Sequence, residues 1–291
     1  MKKSLITRSI TGIIFVGVML LAIFLGYEYT AILFFICMLL GLHEMLVMLR
    51  HVGVRPLPGL VYALSMVLYV YTCFCVMPID ISEDSVVWHW VDLLPLLMLL
   101  LGLSTFIFEM YRKSEKPWAN ISATLGSVFY IALPFALLNY LRNPFLELEY
   151  GNANILFAFF VFVWANDTFA YIFGVCLGKH RLFERLSPKK SWEGAIGGFV
   201  MSLLIAYIWA RFNTELPMCL WLIIALITVV FSVFGDLVES MLKRSFDVKD
   251  SGNILPGHGG ILDRFDSVLL AAPVVAILFV IYFRYLTYFI L

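Results

Sequence analysis

The stretch LFAFFVFVWANDTFAYIFG, residues 156–174, decides the fold. Extended to residues 153–177 it exceeds the roughly 20 mostly apolar residues that a helix needs to cross a bilayer. Asn166 and Asp167 interrupt it near the middle. A charge at that depth costs about 2.5–3.5 kcal/mol on insertion scales, so the pair must face protein or water. The segment therefore reads as a membrane span that carries either a functional acid or a plain interhelix hydrogen bond.

Eight more runs of the same kind flank it, at about 9–26, 30–49, 57–77, 89–111, 119–141, 193–211, 217–240 and 266–288. The chain is 62% hydrophobic and 14% charged, with a mean hydropathy of +0.95. Soluble domains are about 45–50% apolar and about 25% charged, and a soluble fold could not hide this much apolar side chain. The expectation is an all-α, polytopic integral membrane protein with about nine transmembrane helices. The start Met1-Lys2-Lys3 lacks an A-x-A-like cleavage site, so the first run reads as a retained helix. Cys37, Cys73, Cys75, Cys176 and Cys219 lie in apolar stretches without a C-x-x-C pair and read as packing residues. The net charge of zero gives no indication of a nucleic-acid partner.

Orientation follows from the positive charges, which accumulate in cytoplasmic loops. With nine spans and a cytoplasmic N-terminus, 17 of the 20 Lys and Arg fall inside and only Arg142, Arg211 and Arg284 fall outside. The outside loop Asp80–Asp84 is acidic, and the C-terminus is placed outside. Two regions result. Residues 1–142 hold about five plain spans, a dimerisation or scaffold region. Residues 143–291 hold about four spans with Asp, Glu and Gly, and cytosolic loops at 178–193 and 241–265. Chemistry is expected in the second region, on the cytosolic side.

The densest polar stretch is GDLVESMLKRSFDVKDSGNILPGHGGILDRFDS, residues 235–267. Asp236, Glu239, Ser240 and Lys243 are spaced i, i+3, i+4, i+7 and share a helix face at the end of a span. Asp263 and Asp266, with Arg264 between them, sit on the first turns of the last span. Carboxylates from two helix ends suit Mg²⁺, which takes one or two carboxylates together with substrate phosphate oxygens. Two such ions would serve an in-line displacement at phosphorus. The glycines let backbone N–H groups approach phosphate. The bland alternative is that these acids only cap helices or pair with neighbouring Lys and Arg. In the second loop, Ser187 or Ser191 caps the helix that Gly194 enters, and Lys189 and Lys190 beside a helix N-terminus make an anion site. The same basic residues also satisfy the positive-inside rule and bind anionic headgroups. His43-Glu44, inside the second span, reads as a local helix–helix contact and receives no role.

The run Ser240-x-Leu242-Lys243-Arg244-x₄-Lys249-Asp250-x-Gly252-x₂-Leu255-Pro256-x-His258-Gly259-Gly260-Ile261-x-Asp263-Arg264-x-Asp266 resembles the signature of the phosphatidate cytidylyltransferases without a gap. SPKKSWEG at 187–194 and Asn166-Asp167-Thr168 are similar to the same family, with Ser191 where Thr is common. The resemblance covers the C-terminal half; the N-terminal half agrees only in hydropathy. It implies transfer of CMP from CTP to phosphatidate, giving CDP-diacylglycerol and pyrophosphate in phospholipid biosynthesis. It further implies Mg²⁺, leaving open one ion, two divalent ions or a mixed divalent and monovalent pair, together with a homodimer and a place in the bacterial inner membrane. Carried over, the metal-site carboxylates fall on Asp236, Asp263 and Asp266, joined as catalytic residues by Lys243 and Arg244. Ser187, Lys189, Lys190, Ser191, Lys249, His258, Gly259, Gly260, Arg264 and Asp167 become the substrate-binding set, with His258 a hydrogen-bond donor and not a base.

Two other readings compete. The CDP-alcohol phosphotransferases carry D-x₂-D-G-x₂-A-R-x₈-G-x₃-D-x₃-D; here Asp263-x₂-Asp266 is followed by Ser267 and the later acids are missing. An ion-coupled transporter would use Asp167, Asp236 and Glu239 as coupling acids, but the acids and basic loops gather on one side and no inverted repeat is visible.

Overall fold

Apolar runs become helices because, in lipid, every backbone N–H and C=O must be satisfied within the segment. The computed structural model describes residues 2–76, 86–142, 153–214, 216–254 and 259–282. The helices are α1 (Lys2–Leu25), α2 (Tyr27–His51), α3 (Pro58–Val76), α4 (Val86–Arg112), α5 (Pro117–Ser127), α6 (Leu133–Tyr140), α7 (Ala153–Leu177), α8 (Trp192–Phe212), α9 (Met218–Ser245) and α10 (Leu262–Ile281). Among the described residues, eight helical segments are long and apolar enough to cross a membrane, and Ile10–Leu25 forms a shorter apolar helix. The chain is an all-α polytopic membrane protein. The acidic segment Asp80–Asp84, His258 and Arg284 lie outside the described residues.

The chain divides into two compact units, Met1–Phe145 with Phe246–Asp263, and Leu146–Ser245 with Arg264–Leu291. The loop after α9 thus groups with the N-terminal helices, a division that sequence order alone does not give.

In the first unit, α5 and α6 form one span joined by a π-helical turn at Val128–Ala132. Pro134 lacks an N–H and its ring displaces the carbonyl four residues back, which is that of Tyr130 inside the π turn. The turn between α2 and α3 is tied to α5: Arg55 N donates to Asn120 Oδ1 (2.8 Å) and Leu57 N to Thr124 Oγ1 (3.0 Å). Those two acceptors are four residues apart and so share a helix face. By contrast, α4 leaves Leu96, Leu99, Leu100, Leu103, Ile107 and Phe108 exposed, a surface that only lipid or another apolar partner makes favourable. The cysteines follow the same logic: Cys37 is buried, but Cys75, Cys176 and Cys219 are exposed on apolar helices rather than packed inside as expected. A thiol is a small hydrophobe, and an apolar solvent accepts it.

The second unit is built on close helix contact. Gly194, Gly198, Ser202, Ala206 and Ala210 recur every fourth residue along α8 and are all buried. Small side chains in such a row let helix backbones approach, the main source of packing energy where lipid removes the hydrophobic drive. The facing residues of α7 are Asn166, Ala170 and Gly174, and Ser202 Oγ donates to the Phe162 carbonyl (3.4 Å). A Cβ on Gly198 would stand 2.7 Å from both the backbone and side-chain oxygens of Asn166. Gly198→Leu is therefore expected to destabilise the unit by about 1–3 kcal/mol, the usual range for overpacking. Thermal unfolding of the detergent-solubilised variant measures it; an unchanged midpoint would remove this packing account.

Two spans end differently from the hydropathy reading. Helix α9 continues to Ser245 rather than stopping near residue 240, because Asp236–Ser240 and Glu239–Lys243 pair at i, i+4 on its polar extension. Helix α10 begins at Leu262, a turn earlier than residue 266. The 178–193 loop holds an antiparallel hairpin, β1 (Arg181–Phe183) and β2 (Ser187–Ser191).

Candidate active site

Acids from three helices gather in the second unit. Gly235 on α9 packs so closely on α10 that a Cβ there would strike the Asp266 carbonyl and the Ser267 backbone. That contact brings the neighbouring Asp236 to Asp266, which lies in the electrostatic field of Asp236, Glu239 and Asp167. Asp167 reaches the same place from α7, interacting with Lys190, Asp236 and the Ser267 hydroxyl. Its oxygen also accepts from Asn166 Nδ2 (3.4 Å). Of the mid-span pair, Asn166 is buried against the next helix, while Asp167 is exposed and set among other acids.

Lys190 is the cation delivered to this cluster: it forms an ion pair with Asp236, both side chains 29% exposed. Asp236 also accepts from Ser240 Oγ (3.3 Å). Lys243 pairs with Glu239 at 2.6 Å, and Glu239 is only 2% exposed. The face shared by Asp236, Glu239, Ser240 and Lys243 therefore forms as its spacing requires.

The hairpin that carries Lys190 is fixed by Glu193, a residue the sequence reading passed over. Its carboxylate accepts from Lys179 N (3.1 Å) and His180 N (3.2 Å) and contacts His180 Nδ1 at 2.6 Å. Trp192 N closes the loop on the His180 carbonyl (2.9 Å). Of the two candidate caps, Ser191 is the one that acts: it is buried and its Oγ accepts from Gly194 N (3.2 Å). Ser187 stands opposite Phe183 in the hairpin, and Lys189 is exposed.

The first unit holds the remaining candidates. Asp263 Oδ2 accepts from Ser251 N (2.9 Å), Ser251 Oγ (3.0 Å) and Gly260 N (2.8 Å). Gly259 has φ +87°, the left-handed region, and a Cβ there would also strike this carboxylate. Asp263 therefore folds the loop that precedes it. Gly260 is buried and Lys249 is exposed, as are Arg244 and Arg264 in the second unit. Glu44 reaches the same loop from α2.

Among the described residues, no three or more His, Cys, Asp or Glu side chains form a group that could hold a metal by themselves. Mg²⁺ does not need one: it keeps several waters and binds through one or two carboxylates plus substrate phosphates. The hard oxygen donors of Asp236 and Asp266, drawn together against their mutual repulsion, fit that requirement.

Acids clustered among membrane-spanning helices are the site's geometry, and comparison with known proteins places the chain among the nucleotidyltransferases. A family model described as "Cytidylyltransferase family" matches residues 6–282, so the chain belongs to that family. Among curated proteins, it is 36% identical to a phosphatidate cytidylyltransferase of Staphylococcus epidermidis over 277 residues, 94% of this chain and 98% of the relative. Proteins of the same name from Staphylococcus saprophyticus and Staphylococcus aureus are 35% and 34% identical with the same coverage.

Proposed function

We propose that this protein is a phosphatidate cytidylyltransferase of a bacterial inner membrane, with nine crossings, its N-terminus in the cytoplasm and its site open to the cytosol. The full-length similarity to proteins of that name supports the reading. The single structural observation that carries it is the gathering of Asp167, Asp236 and Asp266, with Lys190 paired to Asp236 and interacting with Asp167.

The phosphate of phosphatidate, largely ionised at neutral pH, attacks the α-phosphorus of CTP. A phosphorus–oxygen bond forms to the lipid phosphate, the bond from the α-phosphorus to the bridging oxygen breaks, and pyrophosphate leaves. The nucleophile needs no dedicated base, so catalysis rests on positioning and charge neutralisation. Asp236 and Asp266 would hold Mg²⁺, with Asp167 as a further acid, and Asp263 would set the loop that leads into α10. Bound Mg²⁺ neutralises phosphate charge, easing both attack and departure. Lys190, already among the acids, is placed to take a phosphate oxygen once substrate competes for it. Lys189, Arg244 and Arg264 in the second unit, and Lys249 in the first, are exposed cations suited to phosphate, and the Ser187 hydroxyl and His258 are candidate hydrogen-bond donors. Lys243 stays anchored on Glu239.

The test is incubation of purified protein with labelled CTP, phosphatidate and Mg²⁺. Lipid carrying cytidine and stoichiometric pyrophosphate are expected. Absence of both under varied detergent and lipid conditions, or exchange of CMP onto an alcohol instead, would overturn the proposal.

A further inference from the structure

Glu44 lies in α2, more than two hundred residues before the loop it touches, and is 3% exposed. Nothing in the mechanism above uses it. Its Oε1 accepts from Ile261 N (2.8 Å), and its Oε2 accepts from Leu262 N (3.0 Å) and from Ser251 Oγ (3.0 Å). Ser251 in turn reaches Asp263 Oδ2 through both its hydroxyl and its amide. Three consecutive amides, those of Gly260, Ile261 and Leu262, thus donate to two carboxylates, Asp263 and Glu44. The last two belong to the start of α10, where a helix leaves its N–H groups without internal partners. The fit is close: a Cβ on Gly252 or on Gly260 would collide with the Glu44 carboxylate.

We propose that Glu44 is a positioning residue for the transfer reaction, acting through Ser251 and the Ile261 and Leu262 amides to hold Asp263 and the start of α10 in place. The N-terminal helices then contribute directly to the geometry of the site-bearing loop. This rests on the cytidylyltransferase reading for its kinetic consequence, but not for the contact itself.

Glu44→Gln keeps the shape and removes one acceptor, so one of the two amides faces an N–H₂ group instead of an oxygen. Two measurements on the full-length protein test the proposal. In hydrogen–deuterium exchange, amides in 249–263 are expected to exchange about tenfold faster, with the other helices unchanged. In the transfer assay, kcat is expected to fall about 10²-fold, the scale of a small misplacement. The Mg²⁺ concentration for half-maximal activity is expected to rise severalfold, which a mere loss of active molecules would not produce. Glu44→Asp, retaining both oxygens on a shorter stem, should recover part of the activity.

Unchanged exchange in 249–263 would overturn the contact. Faster exchange with kcat and Mg²⁺ dependence within twofold of wild type would overturn the positioning role. So would lower activity that tracks a general loss of folded protein. An inactive wild-type protein would instead count against the proposed function, with the exchange measurement still deciding the contact.

Discussion

Asp266→Asn is expected to lower kcat by about 10³-fold, the upper range for removing one preorganised electrostatic group from an active site. The variant should nonetheless unfold no earlier than the wild-type protein. The opposite signs come from one fact: Asp266 faces Asp236, Glu239 and Asp167, and each of these like charges opposes its own. A medium of low dielectric strengthens that repulsion. Removing the charge relieves that repulsion, so an acid that serves to bind a cation is expected to leave stability intact when it is replaced by Asn. A structural acid would behave in the reverse way, because Asn would remove an attractive partner. The hydrogen bond from the neighbouring Ser267 N to Asp266 Oδ1 (2.7 Å) is local, and Asn can replace it. The check is a cytidylyl-transfer assay beside a thermal unfolding curve in the same detergent. Activity within tenfold of wild type, or a midpoint lowered by several degrees, would remove Asp266 from the proposed metal-holding pair.

The spans were legible because hydropathy reports a cost that every residue of a membrane helix shares. Residues 153–177 and 193–211 were read within one residue of α7 and α8. The polar helix ends were not, because hydropathy falls at Asp236 and Glu239 while the hydrogen-bonded ladder continues. Spacing alone put Asp236, Glu239, Ser240 and Lys243 on one face, and the i, i+4 pairs along it confirm that. Partners far apart in sequence stayed hidden. Glu44 read as a local contact since nothing near it in the chain shows that Ser251, Ile261 and Leu262 need an acceptor. The hairpin was hidden for a related reason: SPKKS has weak strand propensity, and Glu193 and the Ser191 cap fix the open end of the hairpin through partners outside the strand. Asp263 carries the converse lesson. Its spacing from Asp266 invited one shared role, yet Oδ2 takes three hydrogen bonds from its own loop.

Gly235→Ala should test whether the gathering of acids depends on a helix crossing. The added methyl meets the Asp266 carbonyl and the backbone of Ser267, neither of which can rotate aside as a side chain would. The helices α9 and α10 must therefore separate locally or shift along one another, and overpacking of this kind costs about 1–3 kcal/mol. Asp236 is the next residue on one helix and Asp266 is the contact on the other, so the displacement falls on the distance between the two acids. A shift of about 1 Å in a positioned group lowers rate by about 10²-fold, and the loss here should be at least of that size. The pattern separates this variant from Asp266→Asn: Gly235→Ala loses both stability and activity, whereas the charge removal loses activity alone. Raising Mg²⁺ should recover part of the Gly235→Ala activity, because both carboxylates remain and only their spacing has changed. A variant that melts earlier yet turns over at the wild-type rate would show that the crossing stabilises the fold without setting the site.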